Sequence, residues 1–352
     1  MILFRADGNG TIGTGHIMRC LSIADGLKRI GEESAFVCAD DCLKDLIESR
    51  GYRCEVLGTI FDEMESEIEC FLGSEIFRNS NLVVVDSYYV SDRYFESIRR
   101  EKKTVYIDDL IENAYPVDAL INYNIYAEEK KYMALYSNKN TEIPVLILGT
   151  GYAPLREDFL KTEKKKIEEK PGNILILTGG ADPAHIAPKL AEKITGEMRN
   201  NEDDPVYHFV AGAMSGDYER LKEIESRSNG KIVIHRNVKD MKALMESSDM
   251  AVSAAGSTLY ELCACGVPTI TYVLADNQIR AEKEFVSRGA MHSAGDAREG
   301  EIFFERLYGE IMKLESDIVE RTRLSEGAIA ITDGNGADRT ARKLMEFAGA
   351  WE

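Results

Sequence analysis

The chain has 352 residues and a formal net charge of −18, from 43 Lys and Arg against 61 Asp and Glu. This composition does not favour a nucleic-acid-binding surface, for which a basic stripe is the usual footprint. A membrane-spanning helix needs about 18 consecutive apolar residues, and the sequence has no apolar run of that length. Its seven cysteines include no CxxC pair. We therefore predict a cytoplasmic protein of about two domains, with no membrane insertion and no zinc site.

The first half of the chain alternates short apolar runs with amphipathic stretches. Predicted strands cover 1–5, 35–39, 82–86, 104–108 and 119–122. Predicted helices cover 16–30, 44–50 and 92–100. This β-α-β-α order is typical of a parallel sheet with right-handed crossovers. We assign residues 1–150 to a first Rossmann-like domain.

An apolar run at 145–149 is followed by GYAPLREDF and the charged run KTEKKKIEEKPG, which predict a linker over 151–171. The β-α pattern then restarts in a second Rossmann-like domain over 172–335. Its predicted strands cover 173–178, 206–211, 232–235, 250–253 and 269–272. Its predicted helices cover 184–198, 218–227, 241–247, a helix opening at 257, 277–287 and most of 302–349. Two doubly wound α/β domains, each with its own sheet, predict a ligand cleft where their strand ends face each other.

The first glycine-rich loop contains a GxGxxG pattern at Gly8, Gly10 and Gly13, between a predicted strand and a predicted helix. This context is typical of NAD(P)-binding proteins. Such proteins place a ribose-binding carboxylate about 20 residues further on, whereas Asp40 and Asp41 follow Gly13 by 27 and 28 positions. The pattern therefore fits a dinucleotide site only loosely.

The same loop continues as Gly13-Thr14-Gly15-His16, which places a histidine in the first turn of the following helix. The amino end of a helix disfavours imidazolium, so His16 is expected to be neutral and able to accept a proton. That property suits a general base near neutral pH. A histidine that merely caps or packs the helix is the alternative interpretation.

A second group of residues follows the strand predicted at 250–253. Gly256, Ser257 and Thr258 open a helix whose free N–H groups can bind an anion, and Glu261 one turn later can accept both hydroxyls of a ribose. A simple helix cap is the alternative. Further loops on the same rim are expected at Gly179-Gly180 and at Asn277-Gln278. Asp7, Asp86 and Asp108 end apolar strands, and a structural capping role is favoured for all three.

Several segments occur in one order over nearly the whole chain: GTGHIMRCLSIADGL, VVDSYY, YIDDL with VDALINYN, GYAPLREDF, the Gly179-Gly180 loop, and SAAGSTLYELCACGVPTITYVLADNQ. In this set the chain resembles the UDP-2,4-diacetamido-2,4,6-trideoxy-β-L-altropyranose hydrolases of the pseudaminic acid pathway. That family is in turn similar to the GT-B glycosyltransferases. The resemblance implies a GT-B fold with a nucleotide-sugar in a central cleft, and a last helix, 336–352, that crosses back to the first domain.

The resemblance also implies a hydrolysis of a small-molecule substrate that needs no metal and no cofactor. In that reaction water attacks the anomeric carbon and UDP leaves. In this family the histidine of the GTGH motif is the base, which is His16 here, and Gly13, Thr14 and Gly15 lie beside the sugar. The remaining family positions fall on the substrate-binding residues Tyr88, Arg156, Asn277 and Gln278 and the nucleotide-binding residues Gly179, Gly180, Val238, Gly256, Ser257, Thr258 and Glu261.

Three other functions remain open at this stage. A GT-B glycosyltransferase would share every nucleotide contact but would pass the sugar to an acceptor other than water. An NAD(P)-binding enzyme would follow from the GxGxxG pattern alone. A nucleotide-sugar sensor without catalysis would bind the same ligand and would not need His16.

Overall fold

The chain divides into two α/β units. The computed structural model describes residues 1–160, 162, 165–197, 204–212 and 215–349. One unit comprises Met1–Glu157 with the segment from Asn335 onward, and the other comprises Asp158–Gly334. Three predicted stretches extend past the described residues, namely the linker at 161, 163 and 164, the helix 184–198 at Met198, and the C-terminal helix at 350–352.

The described part of the first unit forms a parallel sheet of seven strands in the order β3-β2-β1-β4-β5-β6-β7. The strands are β1 Ile2–Ala6, β2 Ser34–Cys38, β3 Arg53–Val56, β4 Leu82–Asp86, β5 Lys103–Ile107, β6 Ala119–Asn122 and β7 Val145–Leu148. The helices are α1 Gly15–Arg29, α2 Lys44–Ser49, α3 Ile68–Gly73, α4 Glu75–Asn79, α5 Asp92–Arg99 and α6 Glu129–Lys139. The strand order reverses between β1 and β4, and ligands of doubly wound sheets bind outside such a switch point.

The described part of the second unit forms a parallel sheet of six strands in the order β10-β9-β8-β11-β12-β13. The strands are β8 Asn173–Leu177, β9 Val206–Ala211, β10 Ile232–Arg236, β11 Met250–Ala254, β12 Thr269–Val273 and β13 Met291–Asp296. The helices are α7 Ile186–Glu197, α8 Tyr218–Ser226, α9 Met241–Ser247, α10 Thr258–Ala264, α11 Ile279–Ser287, α12 Glu301–Ser316 and α13 Ile318–Ile331. Its switch point lies between β8 and β11.

The prediction of a doubly wound parallel sheet in each half is confirmed. The central strands are buried along their whole length and therefore read as continuous apolar runs. The edge strands β3 and β13 were missed because their residues are only partly covered and mix polar with apolar side chains. Strand β7 was read only as an apolar run before the linker, and the polar helix α6 was not predicted at all.

The last described helix, α14 (Gly336–Gly349), belongs to the first unit and packs against α1. The two helices approach closely at Gly26, where an added Cβ would lie 2.9 Å from the Ala337 carbonyl oxygen and 3.2 Å from the Ala341 Cβ. The guanidinium of Arg29 also donates to the Asp338 carboxylate. No helix among the described residues has the length and apolar character needed to cross a membrane.

Because α1 and α14 leave no room at Gly26, we expect Gly26→Val to lower the free energy of unfolding by about 1–3 kcal/mol through overpacking. The matched control is Gly309→Val, since Gly309 lies inside α12 with open space where its Cβ would be. Urea unfolding followed by circular dichroism measures both. Equal effects of the two substitutions would show that the close contact does not limit side-chain size at position 26.

Candidate active site

The glycine-rich loop after β1 closes on itself before α1 begins. Asn9 and Gly13 exchange backbone hydrogen bonds of 3.1 and 2.9 Å, and the Asn9 side-chain oxygen accepts from the N–H groups of Thr11 and Ile12. Gly13 has a φ of +75°, which glycine adopts at little cost. Thr14 precedes the helix, and Gly15 is its first residue. The loop thereby sets where α1 starts and where its first side chains point.

His16 lies in the first turn of α1 and is almost fully buried, with 7% of its surface exposed. Its Nδ1 is 2.6 Å from Oδ1 of Asp86, the last residue of β4. A carboxylate only accepts hydrogen bonds, so Nδ1 carries the hydrogen and Nε2 is the nitrogen that can take up a proton. Because β1 and β4 flank the switch point, this contact joins the two loops where a ligand is expected.

Arg19 lies one turn after His16 and binds the same carboxylate. Its Nε donates to Oδ2 of Asp86 at 2.5 Å, and its Nη2 donates to Oδ1. Nη2 is also 3.0 Å from Nδ1 of His16, because both nitrogens donate to one oxygen. Burial alone would raise the pKa of Asp86, but the charge of Arg19 and the hydrogen bonds from Arg19 and His16 outweigh it and hold that pKa well below its ordinary value. Asp86 therefore remains a carboxylate that orients the imidazole.

Tyr88, two residues after Asp86, lies directly against the histidine. The ring centroids of Tyr88 and His16 are 4.7 Å apart in an edge-on arrangement. The Tyr88 hydroxyl donates to Oδ2 of Asp109 at 2.8 Å. Burial and the charge of Asp109 raise the pKa of Tyr88, so its hydroxyl keeps its proton. The structure thus brings together two of the predicted residues, His16 and Tyr88. Arg156 is half-buried after the turn Thr150–Tyr152 of the same unit, and its substrate contact stays a prediction.

The three strand-end aspartates have different roles. Asp7 accepts from the buried guanidinium of Arg5 and from the N–H of Ala39, so it stabilises the loop after β2. Asp108 accepts from Leu110 N–H and from the Tyr132 hydroxyl, and caps its own turn. The expected structural role fits both. For Asp86 that expectation was wrong, because its carboxylate contacts the imidazole of His16.

Three further residues around His16 were not singled out in the sequence: Arg19, Asp109 and Tyr123. Arg19 could have been found, because positions three apart share one helix face and both follow the GTG loop. Asp109 and Tyr123 follow β5 and β6, and only the strand order brings them to Arg19. No local pattern in the sequence predicts those contacts.

The nucleotide-binding and substrate-binding residues predicted in the second unit follow four strands of its sheet at the carboxyl edge. Gly179 and Gly180 follow β8, Val238 follows β10, Gly256 to Glu261 follow β11, and Asn277 and Gln278 follow β12. All these strands are parallel, so the loops share one edge of the sheet. The loops after β8 and β11 flank the switch point. Their nucleotide contacts stay predictions.

The individual positions at this edge differ in exposure. Gly179 has a φ of +81°, and both it and Gly180 are exposed, as are Gly256 and Ser257. Thr258, Val238 and Glu261 are half-buried. Asn277 is exposed, whereas the side-chain oxygen of Gln278 accepts from the N–H of Leu274 at 2.8 Å, which leaves the Gln278 amide N–H groups for other partners. The described residues contain no cluster of three metal-binding side chains.

These features define the class of the protein: two Rossmann-like units of the GT-B type. Residues 158–317 match the family model of the glycosyltransferase family 28 C-terminal domain. The crystal structure of Acinetobacter baumannii MurG superposes with a TM-score of 0.67 at 13% identity, over 98% of this chain and 99% of that one. At that identity the likeness shows the fold alone.

Curated relatives extend over most of the chain. The spore coat polysaccharide biosynthesis protein SpsG of Bacillus subtilis is 27% identical over 97% of both chains. The UDP-2,4-diacetamido-2,4,6-trideoxy-β-L-altropyranose hydrolase of Campylobacter jejuni is 25% identical over 77% of this chain and 92% of its own length. An uncharacterized protein of Methanocaldococcus jannaschii, MJ1062, is 26% identical over 78% of this chain, which spans only 56% of that relative.

The low pKa of Asp86 makes the stability of the first unit depend on pH. Its folded pKa is lower than the unfolded value of about 3.9, so its contribution is complete above that value and is lost as pH falls through the folded pKa. We expect the difference in unfolding free energy between wild type and Asp86→Asn to shrink below about pH 4, by about 1.4 kcal/mol per unit of pKa difference. Urea unfolding at several pH values measures it, and a constant difference between about pH 5 and 2 would contradict the assignment.

Proposed function

We propose that the chain is a hydrolase that releases UDP from a UDP-linked 2,4-diacetamido-2,4,6-trideoxy sugar, in the biosynthesis of a nonulosonic acid of the pseudaminic type. The observation that carries the proposal is the contact of His16 with Asp86 across the switch point of the first sheet. A buried imidazole oriented by a carboxylate can act as a general base. The named activity of the Campylobacter jejuni relative supports the choice of substrate.

In the proposed reaction, Nε2 of His16 accepts a proton from a water molecule. The water oxygen forms a bond to the anomeric carbon, and the bond from that carbon to the diphosphate oxygen breaks. UDP leaves with the electron pair. Because UDP is a good leaving group, the reaction needs no metal and no strong general acid. Asp86 stabilises the imidazolium that forms, and Arg19 keeps Asp86 charged.

The second unit is proposed to hold the UDP moiety. The N–H groups and hydroxyls of Gly256, Ser257 and Thr258 would bind the diphosphate, and Glu261 would accept the ribose hydroxyls. The match of residues 158–317 to a glycosyltransferase C-terminal domain supports the proposal that the second unit binds the nucleotide. Gly13, Arg156 and Asn277 are proposed to contact the sugar or the phosphates.

A glycosyltransferase is the second candidate, favoured by the same family match and by the likeness to MurG. The two activities share the nucleotide contacts and differ in the acceptor. Purified protein incubated with the UDP-sugar alone separates them, because a hydrolase releases UDP from that mixture. Release of UDP only after addition of a second acceptor would establish the transferase instead.

We expect His16→Ala to retain its affinity for UDP while turnover falls by about 10² or more, because the base acts only in the chemical step. Isothermal titration with UDP and a UDP-release assay measure the two quantities. His292→Ala is the control, since His292 contacts the carboxylates of Glu310 and Glu320 on two helices of the second unit. Unchanged turnover in His16→Ala would refute the role of His16 as the general base.

Glu261→Ala is expected to weaken UDP binding by about 10- to 100-fold, the value of a hydrogen bond to a charged group, and to leave turnover at saturating substrate nearly unchanged. The control is Glu301→Ala, because Glu301 is an exposed acid in the first turn of another helix, α12. UDP titration and saturation kinetics decide the matter. If uridine and UDP bind the two variants equally well, the ribose contact must lie elsewhere.

A further inference from the structure

Asp109 contacts several of the residues around His16. It follows β5, and its Oδ2 accepts from Nη1 of Arg19 at 2.7 Å and from the Tyr88 hydroxyl at 2.8 Å. Its Oδ1 accepts from the side-chain amide of Asn124 at 2.8 Å, and its carbonyl oxygen accepts from the Tyr126 hydroxyl at 3.0 Å. One half-buried side chain thus joins α1 with the loops after β4 and β6.

Arg19 lies between two carboxylates. Its Nε and Nη2 bind Asp86, and its Nη1 binds Asp109. A guanidinium is planar and rigid, so two carboxylates on different edges fix its orientation as well as its position. Loss of Asp109 would remove one of the two contacts of Nη1, which also donates to the Tyr123 hydroxyl at 3.0 Å, and would loosen the guanidinium. Asp86, which binds the other edge of that guanidinium, is the group that orients the imidazole.

Tyr88 depends on Asp109 in a second way. Its hydroxyl donates to the carboxylate, while its ring lies edge-on to the imidazole 4.7 Å away. The Tyr88 hydroxyl is therefore held by Asp109, and the Tyr88 ring covers one side of the His16 imidazole. Removing the carboxylate would release a tyrosine that is 44% exposed.

We propose that Asp109 is a positioning residue that fixes Arg19 and Tyr88 together and thereby sets the direction of Nε2 of His16. The inference rests on the proposed hydrolysis for its kinetic consequences. Asp109 reaches the imidazole through Arg19 and Tyr88, so we expect its loss to act mainly on the chemical step. An error of about 1 Å in the placement of a reacting group costs on the order of 100-fold in rate.

The kinetic test is a double-mutant cycle of Asp109→Asn and Tyr88→Phe, with kcat and KM for UDP release measured in each variant. We expect Asp109→Asn to lower kcat by about 10- to 100-fold with KM changed less than about twofold. The double variant should lose no more than the larger single loss, because both substitutions remove the hydrogen bond from the Tyr88 hydroxyl to a charged carboxylate. Losses that multiply, or a higher KM with unchanged kcat, would overturn the proposal.

Asp25→Asn is the matched control. Asp25 lies on α1, the helix that carries His16 and Arg19, but further toward its C-terminal end. Like Asp109, it binds an arginine and a tyrosine, Arg50 and Tyr52. A general loss of stability would affect both aspartate variants, whereas loss of positioning affects only Asp109→Asn. An equal fall of kcat in Asp25→Asn would overturn the positioning role.

A readout that does not depend on turnover separates this proposal from the proposed function. In protein with ¹⁵N-labelled histidine, the Nδ1 proton shared with Asp86 should give a downfield resonance that disappears in His16→Ala. We expect this resonance to be retained in Asp25→Asn and to shift or broaden in Asp109→Asn. An unaltered resonance in Asp109→Asn would overturn the positioning role even if the wild type hydrolyses the sugar. An altered resonance in a protein without hydrolase activity would support positioning and reject the hydrolysis.

Discussion

The buried carboxylate of Asp86 is the constraint on which the candidate site depends. A charged carboxylate removed from water is costly unless it is paired and hydrogen-bonded. Here the compensation comes from one helix, since His16 and Arg19 both reach it from the first turns of α1. The pairing that keeps the aspartate charged is therefore the same pairing that orients the imidazole.

The fold provides this contact in two ways. Parallel pairing of β1 with β4 brings the glycine-rich loop beside the end of LVVVD, although 70 positions separate His16 from Asp86 in the chain. The closed loop from Asn9 to Gly13 then sets the start of α1. Further along the helix, at Gly26 and Arg29, α1 packs against α14, so the chain's last described helix supports the helix that carries the histidine. A rigid element of this kind positions a catalytic side chain more precisely than a free loop does.

The sequence was most informative where one local pattern has one structural outcome. Fully buried strands appear as apolar runs, and a glycine-rich loop followed by a helix is visible as such, so two doubly wound units and the position of His16 could be predicted. The partners of His16 could not, because they depend on which strands are neighbours. Asp86 and Asp108 both end apolar strands, yet one contacts the histidine and the other caps a turn. Edge strands such as β3 were not predicted for a different reason, since partly exposed strands lack a continuous apolar pattern.

Under the proposed function, hydrolysis and glycosyl transfer bind the nucleotide in the same way and differ in whether water or another hydroxyl attacks the anomeric carbon. A base held at the switch point can serve both reactions, so the identity of the nucleophile is the central question. The most direct measurement is mass spectrometry of the products formed from UDP- and GDP-linked diacetamido sugars in H₂¹⁸O without any added acceptor. We expect one ¹⁸O atom in the free sugar and none in UDP, which requires water to attack the anomeric carbon. Label in the nucleotide instead, or no product until an acceptor is supplied, would contradict the hydrolase.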